Sequence, residues 1–227
     1  MMNRDIEHLL KARRSVRKFK DSSVSKADVG KILELARLAP SGANLQPGKF
    51  HALTGGALEN LKSALLGAVA DGRPQVSQFS YFPSPMPADL KAKQRAAGYA
   101  LYSALGIDRR DIAGRRDQFN QNYMFFNAPV GVVVTIHKDL GKGCFMDLGM
   151  TMMALFMAAA GMGFATSGIG ALGNYGDLVH ETLALPETEL VVCGIALGVA
   201  DDSDPVNQFR TDRDPLDSYV QFAGFVD

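Results

Sequence analysis

The sequence lacks most of the features from which enzyme chemistry is usually inferred. It contains no Trp, two Cys and four His in 227 residues, and its 24 basic side chains balance its 24 acidic ones to a formal net charge of +0. The histidines form no H-E-x-x-H pattern and the cysteines no C-x-x-C pair, so we expect no metal site. The balanced charge gives no general attraction to nucleic acid or to an anionic membrane. An anionic ligand must therefore be held by a local cluster of cations.

Two common catalytic motifs are also missing. The chain has neither a G-x-S-x-G elbow for a serine hydrolase nor a G-x-x-x-x-G-K-[ST] loop for a nucleotide phosphate. Its first 20 residues contain no long apolar run, so we expect no secretory signal and a cytoplasmic location. Cys144 and Cys193 each stand in apolar surroundings and are expected to be buried, reduced thiols.

Charge is absent from one long stretch, residues 148–176, which lies between Asp147 and Asp177. Its length would suffice for a membrane span of about 20 residues. Its second half, however, is rich in Gly, Ser, Thr and Asn, and no excess of Lys or Arg flanks it. We therefore expect a helix that is buried on all sides rather than a membrane span.

Apolar periodicity predicts helices and strands that alternate along the chain, with no internal repeat. Ser25 and Asp28 resemble the capping box that starts a helix. Helices are predicted near residues 4–13, 26–39, 57–70, 87–105, 108–125, 144–162 and 175–185, strands near 49–54, 129–137, 164–167 and 189–198, and a Pro/Ser/aromatic loop at 73–87. This alternation favours one α/β or α+β domain with a central sheet.

A basic cluster follows the first predicted helix in "RRSVRKF", where Arg13, Arg14, Ser15 and Arg17 lie within five consecutive positions. Guanidinium groups form paired hydrogen bonds to phosphate, and a nearby hydroxyl can add another. The alternative is a solvated basic turn.

A second polar cluster lies in "APSGANLQPGKF", where Pro40 ends a helix and Ser41, Gly42, Asn44 and Gln46 crowd the turn into a strand. Backbone N–H groups and short amides at such a turn can bind a heterocycle or ribityl hydroxyls. The alternative is turn formation alone.

Glycines form the third candidate, because residues 168–173 spell G-x-G-x-x-G. That pattern marks a dinucleotide fold when an acidic residue follows about 20 positions later. Here the first acidic residue after the next predicted strand, Asp201, lies well beyond that position. A tight glycine turn that lays its backbone against a flat ligand is the better interpretation.

These segments, together with "NAPVGVVV", "LPETELVVCGIALGVAD" and "RTDRDPLDSYV", resemble the FMN-dependent nitroreductases in sequence and in order. The resemblance covers nearly the whole chain and is weakest over residues 73–98. It implies a single α+β domain over residues 1–227, a three-layer sandwich whose central mixed, mainly antiparallel sheet is flanked by helices. It also implies a domain-swapped homodimer with FMN at the interface, a variable loop or lid at 73–98, and an extended C-terminal segment, 205–227, that packs on the partner.

The resemblance further implies roles for the basic residues. Arg13 and Arg213 would bind the FMN phosphate, Ser15 the phosphate–ribityl region, and Arg14 would complete the cofactor-binding cluster. Arg17 would lie near the pyrimidine edge of the flavin and act catalytically, by stabilising the negative charge that reduction places there.

Backbone contacts are implied for two further segments. In the turn formed by Gly168, Ile169, Gly170 and Ala171, the Gly170 N–H would meet flavin N5, which makes Gly170 the second catalytic position. The second subunit would contribute Pro40, Ser41, Gly42 and Asn44 to the same flavin.

The sequence departs from the family pattern in several places. Gly48 follows "QP" where the family often has Trp, and Thr211 stands at a position where the family has a second tail cation, with Arg210 beside it. Lys93 and Arg95 are weak candidates for polar contacts, with solvated helix positions as the alternative. The glycines at 168 and 170 suggest a widened turn that admits a bulkier substrate.

The implied function is a ping-pong NAD(P)H oxidoreductase. NADH or NADPH would reduce FMN, leave, and be replaced by a nitroaromatic, a quinone or a related small-molecule acceptor. Because this chemistry needs no side-chain nucleophile, the missing motifs are consistent with it. The alternatives are a same-fold reductive dehalogenase or flavin-cleaving oxygenase, a flavin-binding protein without turnover, and a dinucleotide-fold dehydrogenase.

Overall fold

A four-stranded sheet forms the centre of the protein. The structure is a computed structural model and describes residues 6–225. Its strands are β1 (Gly48–Thr54), β2 (Val130–His137), β3 (Ala165–Ile169) and β4 (Glu189–Gly198), in the order β1-β2-β4-β3. All three strand pairings are antiparallel. Within residues 6–225, parallel pairing is confined to isolated bridges, one of which joins Ser15 to Thr166.

Helices cover both faces of this sheet. They are α1 (Ile6–Ala12), α2 (Lys26–Ala36), α3 (Gly55–Ala70), α4 (Ala88–Ala104), α5 (Ile112–Asn120), α6 (Lys142–Gly161), α7 (Gly176–Leu183) and α8 (Leu216–Tyr219). The Ser25 hydroxyl caps α2 by accepting the Asp28 backbone N–H at 3.0 Å. The first helix was predicted from residue 4, and residues 4 and 5 lie outside the described part of the chain.

Strand β2 shows why the sheet must be covered on both sides. Its even-numbered residues Val130, Val132 and Val134 pack with α2 and α6, whereas Val133 faces the opposite core together with α3 and α7. Seven of the eight positions are buried. An uninterrupted apolar strand is the pattern expected when both faces are covered. The predicted three-layer α+β sandwich is therefore confirmed.

Helix α6 corrects one prediction. It was expected to be buried on all sides, but only Leu148, Leu155 and Ala159 of this helix are buried. Met146 is 70% exposed, and Met150 and Met153 are also exposed. The helix packs one face on the sheet. Because its sequence is apolar on all sides, an apolar face stays uncovered in the single protomer. Among residues 6–225, it is the one helix with the length and composition of a membrane span, which core helices can share.

The segment predicted as a lid, residues 73–98, is partly helical. Its irregular part ends at Pro87 and α4 begins at Ala88. The start of the loop is fixed by an ion pair between Arg73 and Asp177 at 2.6 Å. It is also fixed by the Val76 N–H, which donates to the Asn174 carbonyl at 2.8 Å.

Candidate functional site

Basic residues from both ends of the chain line one cavity of about 380 Å³. We call it the arginine cavity. Its lining is Leu10, Lys11, Arg13, Arg14, Ser15, Arg17, Ala97, Val206, Phe209, Arg210, Thr211 and Arg213. Six of these side chains are cationic, and no Asp or Glu of residues 6–225 is among them. A cavity of this kind favours a dianion such as a phosphate monoester, which several guanidinium groups can bind at once.

Backbone pairing brings the N-terminal arginines to the sheet. After α1 the chain runs beside β3, where the Val16 N–H donates to the Thr166 carbonyl at 3.1 Å. It then passes the end of β4, where the Lys20 N–H donates to the Val199 carbonyl at 2.9 Å. The arginine cluster is therefore held next to the strand that ends in the glycine turn, and not on a free basic turn.

The cavity arginines differ in their partners. Burial lowers the pKa of Arg13, and the positive charge of Arg213 lowers it further. Burial alone lowers the pKa of Arg17. A lowered pKa means that the charged form of each arginine is destabilised in its present surroundings. A bound anion would stabilise that charged form. Arg14, in contrast, already forms an ion pair with Asp202.

The tail arginines are oriented by backbone carbonyls. Arg213 donates from one nitrogen to the Thr211 carbonyl at 3.1 Å and to the Thr211 hydroxyl at 3.0 Å. Arg210 donates to the Phe209 carbonyl at 3.0 Å. Among the described residues, neither forms an ion pair with a carboxylate, so both keep their charge available to a ligand.

The glycine motif lies at a strand end, but not in a dinucleotide fold. Gly168 and Ile169 finish β3, and a 3-10 turn, Gly170–Asn174, follows. Strand β3 is an edge strand that pairs antiparallel with β4. A dinucleotide fold requires parallel strands joined through a helix. The antiparallel pairing therefore excludes the dehydrogenase alternative. Gly170 is the first residue of the 3-10 turn, so its N–H has no acceptor within that turn.

Aromatic residues of the loop cover this turn. A Cβ placed on Gly170 would lie 3.4 Å from Cε2 of Tyr81, and one on Gly173 would lie 3.7 Å from Phe79. With Phe82, these rings border a second cavity of about 490 Å³, which Gly170 and Gly173 also line and which we call the aromatic cavity. Tyr81 therefore lies against Gly170, whereas Phe156 lies against Gly168, 3.7 Å from the position of a Cβ there. The expectation that these glycines widen the turn for a bulkier substrate stays a prediction.

The segment Pro40–Asn44 lies apart from the arginine cavity in the protomer and lines neither it nor the aromatic cavity. The Gly42 N–H donates to the Asp147 carboxylate at 3.1 Å, and the Ser41 hydroxyl accepts the Gln46 N–H at 3.0 Å. Asn44 has φ = 55°, a left-handed conformation that Asn tolerates better than most residues. The segment is therefore a fixed turn at the first half of α6.

Two residues of the arginine cavity region were missed from the sequence. Asn207 is buried and contacts the N-terminal segment, and the Phe209 ring lies 5.9 Å from the Arg17 guanidinium carbon. Both occur in a polar tail with no periodic pattern, so no sequence signal distinguishes them. Lys93, a weak candidate from the sequence, forms an ion pair with Asp214 instead of lining the cavity.

The fold is an α+β sandwich, and its arginine cavity carries six cations, the kind of lining that suits a phosphorylated ligand. The family model described as the nitroreductase family matches residues 10–199. The chain belongs to the nitroreductase family. The resemblance inferred from its sequence motifs is thereby confirmed.

Characterised relatives extend over almost the whole chain. A 4-nitrobenzoate reductase of Pseudomonas putida is 32% identical over 99% of this chain and 98% of its own length. The chloronitrobenzene nitroreductase of Comamonas testosteroni is 33% identical over 96% of each. The FMN and NADPH-dependent nitroreductase NfnB from a Sphingopyxis strain, known from its crystal structure, is 32% identical, with a TM-score of 0.95 over 98% of this chain and 100% of that one.

Proposed function

We propose that the protein is an FMN-dependent NAD(P)H oxidoreductase that reduces nitroaromatic, quinone or related acceptors. The observation that carries the proposal is the arginine cavity, whose six cations and lack of a lining carboxylate suit the FMN phosphate. The relatives named as nitroreductases support the reaction class. FMN, when bound, supplies a two-electron carrier between the nicotinamide and the acceptor.

Residues from the two chain ends would hold the cofactor. Arg13 and Arg213 would bind its phosphate, and Ser15 the adjoining ribityl region. Arg17 would place a cation where negative charge accumulates on reduction, which favours electron uptake. The backbone from Gly168 to Ala171 would lie along the flavin.

The reaction is tested by its two halves. Purified protein should be yellow, and anaerobic mixing with NADPH or NADH in a stopped-flow instrument should bleach the flavin absorbance near 450 nm. Subsequent mixing with 4-nitrobenzoate or a quinone should restore it. Failure of both nicotinamides to bleach the flavin would leave a flavin-binding protein without reductase activity.

The phosphate assignment has a selective test. Arg213→Ala should weaken FMN binding about 10- to 100-fold, the value of one charge-assisted hydrogen bond of roughly 1.5–3 kcal/mol. It should hardly change the affinity for riboflavin, which lacks the phosphate. Arg116→Ala is the matched control, because Arg116 is an exposed arginine of α5 that does not line the cavity. Equal losses for FMN and riboflavin would refute the assignment.

We also propose that Tyr81 sets which acceptors fit, since its ring lies against Gly170 in the aromatic cavity. Aromatic pairs contribute about 0.5–1.5 kcal/mol beyond area burial. Tyr81→Ala should therefore lower kcat/KM for a single-ring nitroaromatic about 2- to 10-fold and raise it for a bulkier one. Reduction of the flavin by NADPH should be retained. An unchanged order of preference among acceptors of graded size would count against this role.

We infer that the working unit is a homodimer. The uncovered Met-rich face of α6 and the exposed tail residues Leu216, Tyr219 and Phe225 are apolar surfaces that association would bury. Strand β1 leaves one sheet edge open, and Val220 in the tail is already extended. A second subunit would also supply Pro40, Ser41, Gly42 and Asn44, which do not line the arginine cavity of the single protomer.

The dimer is tested by sedimentation of the full chain and of a chain that ends at residue 215. The full chain should sediment as a dimer, and removal of the tail should weaken association and FMN binding together. A monomer that holds FMN tightly would refute the shared site.

Two free thiols support a reducing, cytoplasmic location, which cell fractionation would check.

A further inference from the structure

Asn207 is the point at which the two chain ends are joined. It ends the 3-10 turn Pro205–Asn207 and is 2% exposed. Its side-chain oxygen accepts the Arg17 backbone N–H at 2.9 Å. Its side-chain nitrogen donates to the Lys18 carbonyl and to the Asp201 carbonyl, each at 2.8 Å. Both ends of the amide are therefore used, with three hydrogen bonds to two segments of backbone, residues 17–18 and residue 201.

The backbone of the same residue orients two cavity arginines. The Asn207 carbonyl accepts from Nε of Arg14 at 3.0 Å and from Nη1 of Arg210 at 3.2 Å. Together with the bond to the Arg17 N–H, this gives one buried residue direct contact with three arginines of the cavity.

The Arg17 side chain has little else to fix it. Its guanidinium makes a weak hydrogen bond to the Ser15 carbonyl at 3.4 Å and lies over the Phe209 ring. Phe209 belongs to the same tail, two residues beyond Asn207, so the tail controls both the backbone and the ring that position Arg17. No ion pair from residues 6–225 replaces this support.

We propose that Asn207 is a positioning residue that holds Arg17 at the flavin, so that it raises the preference of the protein for reduced over oxidised FMN. This role rests on the proposed function, because it assumes that Arg17 faces the cofactor. Only an amide can satisfy both the N–H and the two carbonyls, since a carboxylate lacks the donor and an aliphatic side chain lacks both. Asn207 would act through Arg17 and would not itself touch the reacting atoms.

The test compares midpoint potentials of the FMN-loaded protein. Asn207→Ala should reduce the preference for reduced FMN about tenfold, the equivalent of about 30 mV for a two-electron couple. Gln208→Ala is the matched control, since it removes a neighbouring but exposed amide that does not line the arginine cavity. If the alanine variant does not fold, Asn207→Ser, which keeps a hydroxyl acceptor and donor, gives a smaller change in the same direction.

A double-mutant cycle with Arg17→Ala identifies the route of the effect. In the Arg17→Ala background, Asn207→Ala should leave the midpoint potential unchanged, because the cation it positions is gone. A loss of thermal stability without a change in potential would overturn the proposal, as would an equal shift in both backgrounds. If Arg17→Ala alone leaves the potential unchanged while NADPH still reduces the flavin, this inference fails and the proposed function stands. Absence of flavin reduction in the unsubstituted protein would refute the function itself.

Discussion

Substitution of Glu189 by Gln should destabilise the protein in a pH-dependent way. Glu189 is 4% exposed and begins β4, at the end of the strand away from the arginine cavity. Its carboxylate accepts hydrogen bonds from Lys49 at 2.7 Å and from Thr135 at 2.6 Å, and it lies 2.8 Å from Nε2 of His51. Burial raises the pKa of this carboxyl, but the three partners outweigh burial and lower it to about 2.

The magnitude follows from the shift in pKa. An unfolded Glu has a pKa of about 4.3, so a folded value of about 2 corresponds to about 3 kcal/mol of stability at pH 7. The Lys49 side chain is 62% exposed, and water screens its share of the attraction. We therefore expect Glu189→Gln to cost about 2 kcal/mol, which for a chain of this length lowers Tm by roughly 4–8 °C.

The sign of the pH dependence is fixed by the direction of the shift. Because the folded pKa is depressed, the stabilisation is complete above about pH 4.3 and is lost as the pH falls toward 2. The difference in Tm between the two proteins should thus be full at pH 7 and clearly smaller near pH 3. Thermal melts at fixed protein and excess FMN concentration measure it.

Glu187→Gln is the control for this experiment, since it removes an exposed carboxylate two residues away and should change Tm very little. A difference between Glu189→Gln and the unsubstituted protein that stays constant from pH 7 to pH 3 would refute the reasoning. So would an equal loss in the Glu187→Gln control.

Two other predictions concern the core. Cys193 is buried, and burial raises its pKa to about 12. A thiol reagent at pH 8 should therefore label at most Cys144 in the folded protein and both cysteines after denaturation. Fast labelling of both cysteines in the folded protein would contradict this prediction. Gly131→Ala should lower the free energy of unfolding by about 1–3 kcal/mol through overpacking. The new Cβ would lie 2.6 Å from a methyl of Leu58 and 3.0 Å from the Phe125 ring. A Tm equal to that of the unsubstituted protein would show that the core rearranges here without loss of stability.

The sequence determined the elements and the family, because both depend on local patterns. The uninterrupted apolar run in β2 predicted a strand covered on both faces, and the Ser25 hydroxyl predicted the start of α2. The basic cluster at Arg13–Arg17 identified the phosphate-binding candidate in advance. Each of these patterns lies within a few residues of the feature that it predicts. Periodicity, capping and composition were therefore sufficient to find these features.

Tertiary structure alone decided how the distant parts meet. The burial of α6 was overestimated, since apolar composition does not say which face another element covers. Tyr81 was found over Gly170 only because the loop folds back across about 90 residues of chain. Asn207 and Glu189 are the clearest cases: one amide and one carboxylate acquire their roles from donors and acceptors far away in sequence. A buried polar side chain is defined by the partners that satisfy it, and the sequence names the side chain but not those partners.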